Sequence, residues 1–547
     1  MNTHTDASGE DRRLAAGGAR YGFWCWLIGA TLAGGPALGG IAPATAPSGP
    51  RVDIDNPPRG VFADDWYAIS FQGTKCGYMR STMARRTDAR QKRDVIETAT
   101  EMRITLGRGG QSIRIGSLEK SVETIEGGIV RFSSEADMSL LKIVIRGEVQ
   151  GDTIKVTTQQ VGQPITRTYP LPRGALMSWG SFRQQVRRGL APGTKYTLRG
   201  YVPSISQDRA LDATYEVIRE EDVDLYGRVV KAWRTRQVMK APGLLGQSEI
   251  ESTVWVDDQC TPLKLDMEVA QMRVTAIQCS RAVAVQEADP PELMAETLIP
   301  VRMPAGTENA KAVTYRIFRK SVATTGPARP LSGLPETTMQ RVKQDGADLL
   351  VTVTRSGAVR ADPAASRPTE AELKDLTAAT PYANAKDPEI RRLAKEAAGG
   401  EKDPRALVFR LRAFVSDYVE SKDLSVGFAT ASEVARSRQG DCSEHAVLLA
   451  ALARACGLPS RCVSGVVYAQ QFAGRSRVFV WHMWTQVWIE DHWVDVDAAL
   501  AQDDVDATHI AMGLVTLADA GLAEMALPVW NLIGGVGIRV AAVVPSE

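Results

Sequence analysis

The sequence predicts a multidomain α+β protein, with a β-rich antiparallel N-terminal half followed by a C-terminal α+β domain. Three observations carry this. From about Asp64 to Val285, apolar residues recur at period two between Gly, Asp and Asn turns. After Asp387 the period becomes helical. Four of the five histidines (His445, His482, His492 and His509) and three of the seven cysteines (Cys442, Cys456 and Cys462) crowd into the last fifth of the chain. Imidazole chemistry, where the chain has any, belongs there.

Length and composition bound the rest. At 547 residues the chain has room for three or four domains of roughly 150 residues each. Hydrophobic content of 44% and charged content of 24% are ordinary globular usage, enough to bury real cores. Sixty-five basic residues against 64 acidic ones leave a formal charge of +1. A nucleic-acid partner needs a basic excess to neutralise phosphates, so none is expected. The same balance excludes an acidic disordered chain.

The first 46 residues read as a leader. Arg12, Arg13 and Arg20 precede an apolar run from Tyr21 to Leu32, and Ala42-Pro-Ala44-Thr-Ala46 supplies a small-residue cleavage site. The alternative is an uncleaved anchor over about Tyr21 to Ile41, weakened by its glycines and Pro36. That anchor is the only membrane association expected. Cys25 lies among aromatics, without the small residues of a lipoprotein site. The expected location is outside the cytoplasm, periplasmic or extracellular. Export would place the remaining cysteines where disulfides persist. Cys260 with Cys279 and Cys456 with Cys462 are candidate pairs whose connectivity the sequence leaves open, and Cys76 reads as buried.

Residues 62–285 form the expected β-rich domain, a large antiparallel sheet or open barrel. Its clearest strands are Trp66 to Phe71, Tyr78 to Met83, Glu101 to Leu106, Lys142 to Arg146, Thr153 to Thr157, Tyr196 to Tyr201 and Thr253 to Val256. A turn is expected over Gly73 to Gly77, and one short helix near Ser181 to Arg188. No chemistry shows itself here, so the reading is a scaffold or binding sheet. Pro290-Pro291 and Pro300 mark a linker to a small β-rich domain at 298–360, whose strands are Ala312 to Phe318 and Asp348 to Thr354. Ala361 to Pro368 is a second breaker. An α+β domain follows at 365–512, then a closing segment at 513–547. In that segment Pro528 to Val543, interrupted by Arg539, reads as a strand rather than a membrane span.

The helices of the 365–512 domain announce themselves by their caps. Asp387-Pro388-Glu389 starts one, and Gly399-Gly400 stops it. Asp403-Pro404 starts a second, with Leu407, Leu411, Phe414, Val415 and Tyr418 as its apolar stripe. Thr430 and Glu433 make a capping box for a third. A fourth begins at Cys442 with Asp441 as its cap, and its apolar positions predict burial along its length. A cysteine in a first helical turn meets backbone N–H groups and the positive end of the dipole, which favour the thiolate. Downstream, Val478 to Ile489 alternates as a strand, Glu490 to His492 turns, and Trp493-Val-Asp495-Val-Asp497 returns. A hairpin would therefore bring an acid near His482. Trp481, Trp484, Trp488 and Trp493 are expected to wall the cleft. Cys, His and an orienting carboxylate form the recurrent layout for nucleophilic acyl transfer.

These residues resemble the transglutaminase-like superfamily, a papain-related fold. The resemblance covers about Asp387 to Ile510. It rests on Gly440-Asp-Cys442, the helix ending Arg454-Ala-Cys-Gly-Leu-Pro-Ser-Arg461, Val463-Ser-Gly465, His482-Met-Trp484 and Trp493-Val-Asp-Val-Asp497. It implies Cys442 as nucleophile, His482 as base and Asp497 as orienting acid, preferred over Asp495 on the family spacing. The departure is Ala498-Ala499, where the family commonly has Pro-Thr. His445, one turn after Cys442, is the lesser candidate for base. His492 is expected in solvent, and His509 with Asp506 in the domain's closing segment.

The implied activity is that of an exported cysteine protease or amidase, with a peptide or protein amide as substrate and a thioester intermediate. A cross-linking acyltransferase on the same triad is one alternative. A non-catalytic cell-envelope binding or assembly protein is the other. No cofactor is expected. Cys442, His445, His482 and Cys456 or Cys462 match no zinc spacing, so no metal is expected either.

Overall fold

The computed structural model describes residues 52–546 except 91, 109–110, 139–140, 160–163, 245–246, 270–271, 293–296, 321–332, 359–366, 422–428 and 518–535. The leader, Cys25 and most of the second breaker lie outside the described residues. The chain divides into two compact units, residues 1–106 with 112–291, and residues 292–547 with 107–111. Among the described residues no helix is long and apolar enough to cross a membrane.

The first unit is built on one fifteen-stranded sheet. Its chain starts in the middle, at Gly60–Phe71, and meanders outward to an edge at Ile165–Pro170. It resumes at the opposite edge, Ala175–Leu176, and works back until Met272–Cys279 pairs with the first strand, Trp66 opposite Cys279. Pairing is antiparallel wherever period-two patterning predicts it. Among the described ladders of the sheet, the two-residue edge strand 175–176 runs parallel to its neighbour. Tyr67, Ile69, Met79, Met83 and Leu265 are buried in its core.

The turn expected over Gly73 to Gly77 is tighter than that. Phe71 pairs with Thr74, and Gln72 and Gly73 alone form the loop at φ 49° and 83°. Both central residues at positive φ make the two-residue hairpin whose twist suits the flanking strands. Gly77 is a strand glycine, because a Cβ there would stand 1.9 Å from the Arg103 carbonyl oxygen. The expected helix spans Ser178–Arg188, three residues longer at its start. A face of this sheet surrounds a cavity of about 1040 Å³, across whose lining Arg80 pairs with Asp64 at 2.7 Å and Arg86 with Glu97 at 3.0 Å.

In the second unit we label β1 (Ile299–Pro300), β2 (Ala312–Arg319), β3 (Gln340–Asp345), β4 (Asp348–Thr354), α1 (Glu370–Thr377), α2 (Pro388–Ala398), α3 (Pro404–Tyr418), α4 (Ala431–Ser437), α5 (Cys442–Ala455), β5 (Ser460–Phe472), β6 (Arg475–Ile489), β7 (His492–Val496), β8 (His509–Val515) and β9 (Val536–Val544). The caps read from sequence are formed. Asp387 accepts the Glu389 amide and Asp403 the Ala406 amide, each ahead of a first-turn proline. Thr430 and Glu433 close a capping box on α4. The α1 helix, capped by a second such box of Thr369 and Glu372, is an addition to the sequence reading.

The α5 helix is buried from Ser443 to Arg454. It packs against α2, α3 and α4 and against β5 and β6. An all-round apolar helix belongs in such a place. Arg454, also buried, donates to the carbonyls of Ala378, Ser460 and Thr516 at 2.7–3.0 Å, anchoring the helix end to the turn into β5. The site sheet runs β1-β6-β5-β8, with β7 on the other stretch of β6. A second sheet runs β3-β4-β2-β9. Separate in the sequence reading, the 298–360 piece and the closing segment are here one sheet, paired from Ala312 opposite Val544 to Arg319 opposite Val536.

This small sheet braces the other. The Gln340 side chain both donates to the Ala511 carbonyl and accepts its amide, each at 2.9 Å. Tyr315 Oη donates to the Ala507 carbonyl at 2.9 Å. Ser356 Oγ accepts the Val505 amide at 2.8 Å. Neither candidate disulfide is formed, and the six described cysteines are thiols. Cys260 occupies a turn at φ 64°, and Cys76 is buried as expected.

Candidate active site

The Cys442 end of the site is set by its helix cap. Asp441 leaves the helix at extended φ and ψ, and its carboxylate accepts the Ser443 amide at 2.9 Å and the Ser443 hydroxyl at 2.8 Å. Glu444 reaches back to accept the Asp441 amide at 2.9 Å and the Ala429 amide at 2.8 Å. This box explains Gly440: its φ is +151°, and a Cβ there would lie 2.2 Å from Cβ of Glu444. Burial pushes the Glu444 carboxyl well up, with the neighbouring Asp441 charge adding to it. Cys442 is the first residue of this helix, where the positive end of the dipole favours a thiolate.

The imidazole end lies on β6, in the layer against which α5 packs. Thr485 Oγ1 donates to the Ala446 carbonyl at 3.0 Å, locking the second turn of α5 to the strand three residues beyond His482. His482 is 5% exposed, and its Nε2 donates to Asp497 Oδ2 at 2.6 Å. Asp497 is fully buried and its Oδ1 accepts the amides of Ala499 and Leu500 at 2.8 and 2.9 Å. The Ala498-Ala499 departure therefore keeps the amide donors that fix the aspartate. Burial pushes Asp497 up, but the His482 charge and hydrogen bond, then those of His509, outweigh it and hold the carboxyl far below its usual range.

His509 is the residue the sequence reading missed. It starts β8, which flanks β5 on the side away from β6, opposite Val467. Its Nε2 donates to Asp497 Oδ2 at 3.2 Å, and its Nδ1 to Asp506 Oδ1 at 3.2 Å. The two imidazole rings stand edge to face, 5.6 Å apart. Burial pulls His509 down, but hydrogen bonds to Asp497 and Asp506 and their charges carry it up to about 9. Asp506, likewise resisted by burial, is held well below the carboxylate range by His509 and the Thr508 donors. A signal existed: Asp506-x-x-His509 puts an acid and an imidazole across one turn at the start of a strand.

Other candidates take different places. Asp495 accepts Trp484 Nε1 at 2.7 Å and Gln486 Nε2 at 3.0 Å, and it is Asp497 that holds His482. His445 is buried with Nδ1 turned back onto the Asp441 carbonyl at 2.6 Å. His492, expected in a solvated turn, is instead the half-buried first residue of β7, opposite Ile489, and meets Arg405 and the Glu490 carbonyl. Trp484 stacks beside His482 at 6.3 Å, and Trp481 donates to Ser464 Oγ. Trp488 and Trp493 instead pack on each other, six residues along β6 from His482, about 20 Å at strand rise. They do not wall the site. Gly465 faces His482 across the ladder, and a Cβ there would stand 2.9 Å from the Trp484 ring.

His482, Asp497 and His509 bring three ligand-type atoms within 4.8 Å of one another. Their spacings of 2.6 and 3.2 Å are those of hydrogen bonds, and four N–H donors complete Asp497. The cluster is satisfied by protons alone.

Comparison with known proteins agrees with this region. Residues 391–498 match the family model of the Transglutaminase-like superfamily, so the second unit carries a transglutaminase-like domain. No curated protein matches the chain. Among solved structures, the chain is similar to a candidate cysteine protease from Cytophaga hutchinsonii at 15% identity, covering 43% of this chain and 89% of that one, with a TM-score of 0.25. A candidate protease from Parabacteroides distasonis matches at 11% identity over 77% of this chain and 69% of that one, with a TM-score of 0.20. A β-barrel-like protein of unknown function from Brucella abortus matches at 10% identity over 41% and 97%, with a TM-score of 0.31.

Proposed function

We propose that this protein is an exported cysteine peptidase or amidase that works through Cys442, His482 and Asp497. The observation that carries the reading is the 2.6 Å bond from His482 Nε2 to buried Asp497, on a strand packed against the helix that begins at Cys442. With Nε2 committed to the aspartate, Nδ1 is the nitrogen that exchanges a proton with the thiol. The thiolate attacks the amide carbonyl carbon, forming a C–S bond while the carbonyl oxygen takes up the charge. The backbone N–H of Cys442 donates to that oxyanion, an interaction worth about 3 kcal/mol in such sites. The protonated His482 gives its proton to the leaving nitrogen as the C–N bond breaks, leaving a thioester and an amine. Water, deprotonated by His482, then attacks the thioester and releases the acid and the thiol.

The test is the pH dependence of iodoacetamide labelling, read cysteine by cysteine by mass spectrometry. Burial pushes Cys76, Cys260 and Cys462 up to about 12, so they serve as unreactive internal standards. Cys442 is expected to label well below the free-thiol pKa of about 8.5, and His482→Ala to move that onset upward. A Cys442 as inert as the buried three, or one indifferent to His482→Ala, overturns the proposal.

A further inference from the structure

Both ring nitrogens of His509 face carboxylates, Asp497 at Nε2 and Asp506 at Nδ1, each at 3.2 Å. A carboxylate can only accept, so a ring placed this way carries both protons. The ring is fully buried. Its companions are fixed: Gln502 Nε2 donates to Asp506 Oδ2 at 2.8 Å, and Gln502 exchanges both backbone bonds with Asp497 at 2.8–2.9 Å. The connecting loop is clamped from the small sheet by Tyr315 at Ala507 and Ser356 at Val505. The charged or titratable groups around His509 are thus His482, Asp497, Asp506 and, through its charge, Asp495.

We propose that His509 is a positioning residue of the Cys442–His482 site: a fixed imidazolium that shares Asp497 Oδ2 with His482, braces the aspartate from behind and limits how strongly it holds the His482 proton. The inference rests on the reading of this site as a cysteine peptidase or amidase. Its logic is electrostatic. Asp497 alone would pull the His482 proton hard and make it slow to give up to a leaving amine. A second cation on the same oxygen divides that pull, and Asp506 keeps the second cation charged while the first cycles. The site is then a relay of alternating charge, His482, Asp497, His509 and Asp506, with only its first member free to change state.

The experiment uses the full chain labelled with ¹⁵N at histidine, which has only five such residues. The His509 ring is expected to stay doubly protonated through neutral pH. In His509→Gln the His482 titration midpoint rises by about one pH unit as the neighbouring cation is lost, and the alkaline limb of Cys442 alkylation moves with it. A residue with a merely structural role would lower reactivity at every pH without moving either midpoint. Should His509→Gln not fold, Asp506→Asn keeps the ring in place and is expected to bring the His509 midpoint down towards its ordinary value. A His509 that titrates like a free imidazole in the unmodified protein overturns the inference, as does an unmoved His482 midpoint in the folded variant. An unreactive Cys442 with the histidine coupling intact would instead overturn the peptidase reading.

Discussion

The raised buried carboxyls of the first unit contrast with two in the second unit that are held far down. In the first, Glu123 accepts the amides of Trp179 and Gly180 and the Ser121 hydroxyl at 2.6–2.9 Å, and burial still pushes it up to about 7. Asp65, bonded to Gln278, and Glu119, bonded to Ser204, are raised for the same reason. In the second unit Asp497 and Asp506 are held far down, because imidazoles face them. The contrast recurs within one hairpin. Burial pushes Asp495, two residues from Asp497, up to about 6, because its hydrogen bonds come from neutral Trp484 and Gln486 while Arg461 and His509 act on it only through their charge. Neutral donors satisfy a buried carboxyl's hydrogen bonds without replacing the solvation of its charge, and only an opposite charge keeps it ionised. A buried acid that stays charged is therefore the better pointer to chemistry.

The sharpest way to break this comparison is to remove one charge from each kind of site. Asp497→Asn leaves a buried imidazolium without its partner, and is expected to cost about 3–5 kcal/mol in urea unfolding. It should also lower Cys442 alkylation at pH 6 by about tenfold or more, because His482 loses its anchor. Equal losses in Asp495→Asn would sink the distinction.

A pH series comes next in size. Glu123 titrates higher folded than unfolded, so the native state holds the extra proton between about 4.5 and about 7, and stability falls as pH rises through that window. The change is expected to reach about 3 kcal/mol at most, seen as faster amide exchange in the Ser178–Arg188 helix. His509 is also raised. Its contribution is complete below about 6.5 and lost as pH climbs through about 9, seen as faster exchange in β8. Asp497 and Asp506, being lowered, contribute fully above the ordinary carboxylate range and lose that contribution only as pH falls below it. Exchange in both segments following one common pH profile would erase the contrast. The smallest effect is expected for Asp495→Asn, within about 1 kcal/mol, since its asparagine keeps an acceptor for Trp484 and Gln486 loses only a partner it shares.

Much of the site was legible because its signals are local. Asp387, Asp403, Thr430 and Asp441 cap helices from within their own first turns, and the hairpin between His482 and Asp497 is one continuous period-two run with a turn. What escaped was written across distance. His509 reaches Asp497 from β8, two places in the sheet from the His482 strand β6, and nothing near it in sequence shows that β5 comes between. The pairing of β2 with β9 gives no local sign either, since each alone is only a short apolar alternation. Trp488 and Trp493 misled for a related reason: their spacing is that of cleft residues, and only the register shows them opposite each other beside the turn. Gly73 to Gly77 was over-read as a turn because a strand glycine demanded by a neighbouring carbonyl looks like a turn glycine until its partner is known.

The β2–β9 ladder also sets an order of events during synthesis. Strand β2 leaves the ribosome more than two hundred residues ahead of β9, at least about 10 s earlier at ordinary translation rates. Until then the small sheet lacks an edge, and Tyr315, on the strand that β9 completes, is without its full support as it grips the loop carrying Asp506 and His509. Cys442, His482 and Asp497 are all made before that last strand, yet the framework behind them closes only when it arrives. A chain cut between His509 and Val536 would carry Cys442, His482, Asp497 and His509 and still lack the strand that completes the small sheet.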